Sequence, residues 1–151
     1  MRTPSHVPFP FLGGLVVAVA LWASACGANL SPVLNVNHVP AAGVPAGADP
    51  TAYVHDAILR AVASRGWTIA GQAPGVVTAS IAKDELKATV DILYTATDFS
   101  IVYRDSSPGL KYDGTRIHKR YNHWVDRLRA SISAELTKPS PPGVGAAPTP
   151  A

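Results

Sequence analysis

The sequence predicts an α+β fold: a helix, a four-stranded antiparallel meander and a C-terminal helix, with both helices on one face of the sheet. Three observations predict it. Two stretches repeat apolar residues at helical spacing, the stretch between them alternates apolar with polar residues, and prolines mark the borders. Of the fourteen prolines only Pro74 and Pro108 fall between Thr51 and Leu136, which bounds the small α+β domain as residues 49–137.

Asp49-Pro50 opens the first helix. The carboxylate suits the free amide groups of a first turn, and proline's fixed φ and missing N–H suit the first helical position. Val54, Ile58, Ala61 and Val62 give this helix one apolar face. Gly66 predicts a left-handed C-terminal cap, with Trp67 placed for the hydrophobic contact such a cap makes.

Four strands follow, at Trp67–Ala70, Val76–Ala82, Leu86–Tyr94 and Phe99–Tyr103. In the third, Leu86, Ala88, Val90, Ile92 and Tyr94 alternate with Lys87, Thr89 and Asp91, the pattern of a strand with one wet face. Lys83-Asp84-Glu85 and Thr95-Ala96-Thr97-Asp98 are short enough to be hairpin connections. The last helix is expected from about Gly114 to Leu136, with Asp113 or Thr115 near its cap and Pro139 stopping it. Ile117, Tyr121, Trp124, Leu128 and Ile132 share its apolar face.

Composition narrows the class. Apolar residues make up 47% and charged residues 15%, with a net charge of +3, which excludes a highly charged disordered chain and a polytopic membrane protein. A single cysteine excludes an internal disulfide framework and a cysteine-cluster zinc site. That cysteine follows Met1-Arg2 and an uncharged run from Phe11 to Trp22. The run is too short for a bilayer that needs ~20 apolar residues, but it suits the core of a secretory signal.

Ala23-Ser24-Ala25-Cys26 resembles a bacterial lipobox, with Ala23 where leucine is usual. The resemblance implies a lipoprotein signal peptide over 1–25 and acylation of the Cys26 sulfur. It places the domain in the periplasm, anchored in the membrane through acyl chains. Gly27, rather than aspartate, favours the outer over the inner membrane. Two competing readings stay open: an ordinary secretory signal with Cys26 incidental, and a retained single-span anchor. The Gly, Pro and Ala content of 26–48 reads as the lipidated cysteine and a flexible tether, within which Val33 to Val36 can form an edge strand. Residues 138–151 read as a disordered Pro/Ala-rich tail.

A second resemblance covers most of Thr51 to Leu136. Tyr103 to Tyr112 (YRDSSPGLKY) and Ile117 to Val125 (IHKRYNHWV), with Arg65-Gly66-Trp67 and Ile92-Leu93-Tyr94, resemble a family of small, uncharacterised proteobacterial lipoproteins. Members often carry Asn where this chain has Gly109, and both residues tolerate a left-handed turn. The likeness implies envelope location and fold, and brings no activity or ligand with it.

Asp105, Ser106 and His118 are the residue types of a hydrolytic triad, but no Gly-x-Ser-x-Gly elbow surrounds Ser106 or Ser107. Asp105 and Ser106 are therefore expected to bond to backbone amides of the loop before the last helix. His118 is expected to brace that loop, and Asn122 to bond to it at Tyr112-Asp113. His118 and His123 stand five apart, where helical zinc pairs prefer four, so no metal and no cofactor are expected. Glu85 and Glu135 fall in different elements, so no paired-carboxylate glycosidase is indicated.

Arg116, Lys119, Arg120 and Arg127, with His123, fall on one side of a helical wheel. They form a candidate anion-binding stripe for anionic lipid, lipopolysaccharide phosphate or peptidoglycan carboxylate. The competing reading is a solvated outer face with Asp126 nearby. Export keeps the domain from nucleic acid. The expected function is thus a lipid-anchored envelope protein acting as a non-catalytic binding or scaffolding module toward an envelope protein, anionic lipid or peptidoglycan. The alternative is a hydrolase of cell-wall or lipid substrates, with Ser106 and His118 its only candidates.

Overall fold

A computed structural model describes residues 29–138. The order of elements is β1 (Leu30–Pro32), β2 (Val36–Pro40), α1 (Pro50–Ser64), β3 (Thr68–Ala73), β4 (Val76–Lys83), β5 (Leu86–Tyr94), β6 (Asp98–Ser106), a 3-10 turn (Pro108–Leu110), β7 (Arg116–His118) and α2 (Lys119–Thr137). The fold is α+β. The expected meander is present as β3 to β6, and the antiparallel sheet has a fifth strand, giving the order β2-β6-β5-β4-β3. A separate two-stranded sheet joins β1 to β7.

The start of α1 follows from its sequence. Thr51 and Ala52 donate their N–H groups to Asp49 Oδ1 at 2.9 and 3.1 Å, and Pro50 takes the first position. At the other end Gly66 has φ +71°, and Trp67 N–H donates to Val62 O at 3.0 Å. Trp67 lies before β3 rather than inside it, and β3 runs on through Gly71 to Ala73, past its expected end at Ala70. An irregularity between Ile69 and Gly71 absorbs the glycine. β5 matches its alternation from Leu86 to Tyr94, whereas β6 continues beyond Tyr103 to Ser106.

Three expectations are corrected here. The four-stranded sheet has five strands because β2 pairs with β6, and Leu30–Pro32 and Val36–Pro40 of the supposed tether are strands, the edge strand beginning at Val36 rather than spanning Val33 to Val36. Their signal is weak because Pro32 and Pro40 each stand at a strand end, where a missing N–H is tolerated. The partners also lie some 60 to 90 residues onward. Val36 is buried, while Val33, Leu34 and Val39 pack against the core.

The last helix begins at Lys119, not Gly114, because Arg116 to His118 pair with β1. Asp113 Oδ1 instead accepts from Thr115 N–H and Arg116 N–H, at 3.0 and 2.7 Å, closing a turn. His118 is the actual cap, its Nδ1 accepting from Arg120 N–H at 3.1 Å. Finally, Gly109 has no left-handed backbone; Lys111 does, with φ 51°. A Cβ at position 109 would lie 2.6 Å from Leu86 Cδ2, the end of a half-buried side chain that would have to shift.

One core joins the layers. Val77, Ala79 and Ile81 of β4, Ala88, Val90 and Ile92 of β5, and Phe99 and Ile101 of β6 are buried with the apolar faces of α1 and α2. Each such aliphatic side chain contributes roughly 1.5–3 kcal/mol relative to exposure. Between them in sequence, Thr78, Ser80, Thr89 and Asp91 are only half-buried, the alternation of a sheet with one wetter face. The two helices pack on each other, and Arg60 Nε donates to Glu135 Oε2 at 3.1 Å across that contact. The expected signal peptide over 1–25, Cys26 and the expected tail beyond Lys138 lie outside the described residues. Lys138 itself caps α2, donating its N–H to Glu135 O and its ammonium to Glu135 Oε1.

Candidate functional site

The residues of the supposed triad are engaged separately. Ser106 Oγ shares a 2.9 Å hydrogen bond with Tyr103 Oη, His118 Nδ1 is occupied by Arg120 N–H, and Asp105 is exposed on β6. Among the described residues no hydrogen bond links any two of the three. The loop brace falls one residue later than expected. Ser107 Oγ accepts from Lys87 N–H at 2.9 Å, and Ser107 N–H donates to Lys87 O at 2.9 Å, tying the end of β6 to β5.

Asn122 does not reach the Tyr112-Asp113 loop. Its Nδ2 donates to Pro32 O at 2.7 Å and its Oδ1 accepts from Leu34 N–H at 3.0 Å. It thereby fastens an N-terminal strap, Asn29 to Pro40. Asn35 makes a matching clamp, its Oδ1 accepting from Tyr103 N–H at 2.8 Å. Lys119 N–H donates to Asn29 O at 2.8 Å, so the strap begins against the first residue of α2.

Beneath this region lies an aromatic cluster. Tyr103 stacks on Tyr112 with centroids 4.2 Å apart and meets Tyr121 edge-on at 5.6 Å. Tyr121 is fully buried, and its hydroxyl has no partner among the described residues. Burial pushes its pKa up, so the ring stays neutral.

The basic stripe is broken up. Arg116 belongs to β7, and its Nε donates to Asp113 Oδ2 at 3.0 Å. The backbone N–H groups of Arg116 and then Thr115 hold the Asp113 carboxylate well below its usual range, to about 2. Arg120 faces Asp84 of the β4–β5 turn at 3.4 Å. Lys119 is exposed without an ion-pair partner among the described residues.

Arg127 stands apart from the other three. It lines an open cleft of about 170 Å³ together with Arg65, Trp67, Ile81, Lys83 and Trp124. Sequence reading missed Arg65 and Lys83, which sit at the cap of α1 and the end of β4, far from Arg127 along the chain. The buried Trp67, Trp124 and Ile81 line the cleft between them. Among the described residues no group of three His, Cys, Asp or Glu side chains gathers as a metal site.

No family model, curated protein or solved structure matches this chain.

Proposed function

We propose that the protein is a lipid-anchored envelope protein, acylated at Cys26 and facing the periplasm, with the outer membrane favoured. In this reading it belongs with the small proteobacterial lipoproteins its sequence resembles, and it acts as a non-catalytic binding or scaffolding module. One observation carries most weight. The strap is part of the fold from Asn29 onward, so only three residues of chain separate Cys26 from a backbone hydrogen bond to Lys119. Three residues reach at most about 11 Å, whatever path they take.

An acylated Cys26 therefore holds the domain at the level of the headgroups, not on a long tether. The exit point lies beside Arg116, Lys119 and Arg120, a charge suited to anionic headgroups even though two of the three also face aspartates. The non-catalytic reading is supported by the separate engagement of Ser106 and His118. The half-buried face that carries Thr78, Ser80, Thr89 and Asp91 is left to meet an envelope protein or polymer.

Intact-mass analysis of membrane-extracted full-length protein tests the anchor. The expected result is cleavage before Cys26 and two or three acyl chains on it, with Cys26→Ser losing both the mass and the membrane fraction. An uncleaved amino terminus, or a mature product without acyl groups, overturns the reading.

A further inference from the structure

We propose that the cleft between α1, β4 and α2 is a binding site for a phosphate ester. The inference rests on the binding-module reading and names its ligand chemistry. It starts from the pairing of the arginines. Among the seven described, Arg60, Arg104, Arg116, Arg120 and Arg129 each face a carboxylate within 4 Å. The two without a carboxylate among the described residues are Arg65 and Arg127, and both line this cleft. Lys83 joins them there, also without an ion-pair partner among the described residues, and no acidic side chain contributes to the wall. Three cations around one concavity repel each other unless an anion enters.

The supports of these cations are fixed. Arg65 caps α1 through N–H donation to Ala61 O at 3.1 Å, and its side-chain Nε donates to Ser131 Oγ. One of five guanidinium N–H donors is thus spent on holding the side chain, leaving the terminal fork for a ligand. Lys83 ends β4, paired with Leu86 across the turn. Trp67 and Trp124 are 5% and 7% exposed, so the cations ring an indole floor with buried Ile81 beside it.

Those elements suit a phosphate ester. Arginine forks match phosphate oxygens two at a time, and lysine adds a point charge. The apolar floor suits the carbon side of an ester and offers nothing to a free carboxylate polymer. At ~30 Å³ per water, the volume holds about five or six waters, enough for one phosphate and a small headgroup. Arg127 lies eight residues along α2 from Lys119, about 12 Å at 1.5 Å per residue, so the cleft is near the strap's exit. A phospholipid headgroup and a soluble phosphate ester share this chemistry.

Tryptophan fluorescence of the full-length protein, acylated and as Cys26→Ser, tests the site. The titrants are glycerol 3-phosphate, vesicles of phosphatidylglycerol in phosphatidylcholine, and phosphatidylcholine vesicles alone. A saturable response to glycerol 3-phosphate, to the anionic vesicles, or to both is expected. It should weaken about tenfold or more in Arg127→Gln and in Lys83→Gln, exposed positions whose melting temperature is checked alongside. Response to the soluble ester assigns that source, and response to anionic vesicles alone assigns lipid.

Lys87→Gln, exposed on β5 and outside both the cleft and the strap's exit, should leave binding intact. No saturable response in any arm overturns the site, as does an equal loss in Lys87→Gln or no loss in the cleft variants. Glycerol 3-phosphate binding with an unacylated Cys26 keeps the cleft and removes the anchor. Acylation without any phosphate response does the reverse.

Discussion

The strap and the meander are both built of strands, yet they are held by different means. In the meander β4 and β5 close on a turn at Asp84-Glu85, with Lys83 opposite Leu86 and eight residue pairs in unbroken register. In the strap β1 meets β7 only after the whole domain has intervened, and its three pairs are supported by the Asn122 and Asn35 side chains. The meander is stabilised by buried side chains at every second position, the strap by polar clamps on its backbone and one buried side chain, Val36. The comparison teaches that a short segment broken by two prolines can still be ordered when a distant side chain satisfies its backbone groups.

Substitution in the meander core should have the largest effect. Ile92→Ala empties a fully buried site on β5 and is expected to cost about 3 kcal/mol, read as a lower midpoint in urea unfolding. Amide exchange should quicken in strap and meander together, since the strap has no core of its own. If the strap kept its protection while the meander lost it, the two would be independent units and the comparison would fail.

Asn122→Ala should act more locally. It strips Leu34 N–H and Pro32 O of their partners and is expected to cost about 1–2 kcal/mol. Exchange at Leu34 and across β1–β7 should rise, while β4–β5 amides stay as slow as before. Equal loosening of both regions would show that the clamp belongs to the core.

How far these regions could be read from sequence follows the same division. The meander was legible because alternation and short turns are local, and α1 because Asp49, Pro50 and Gly66 mark its ends. The start of α2 was not, since Ile117 fits a helical face and a strand equally well, and only pairing with Ser31 decides. His118 as a cap carried no signal in its residue type. The residue types of the stripe were readable, but not their partners. Asp113 is only three residues from Arg116, but it meets that side chain in a turn where a helix was expected, whereas Asp84, the α1 cap and the cleft that Arg127 lines enter only when distant elements meet.

The smallest effect concerns acid. The folded-state pKa of Asp113 is depressed to about 2 from a usual 3.8, so its contribution is present above pH ~4 and fades as pH falls through 2. Because Thr115 O accepts from Val33 N–H at 2.9 Å, the strap should loosen first in that window. Asp113→Asn should flatten this acid dependence of strap exchange, followed by NMR. An unchanged profile would detach the turn from the strap.

The outer strands of the five-stranded sheet are both interrupted. β2 slips register between Val36 and Val39, where His38 adopts φ 47°, and β3 slips between Ile69 and Gly71. Such kinks deny a neighbour the straight row of unpaired amides along which sheets of separate molecules join. Under the proposed anchor, confinement to a leaflet would concentrate copies in two dimensions and bring their flanks into repeated collision. For copies crowded in that way, the two kinked margins favour discrete particles over a growing fibril, even with Ile69 39% exposed at one of them.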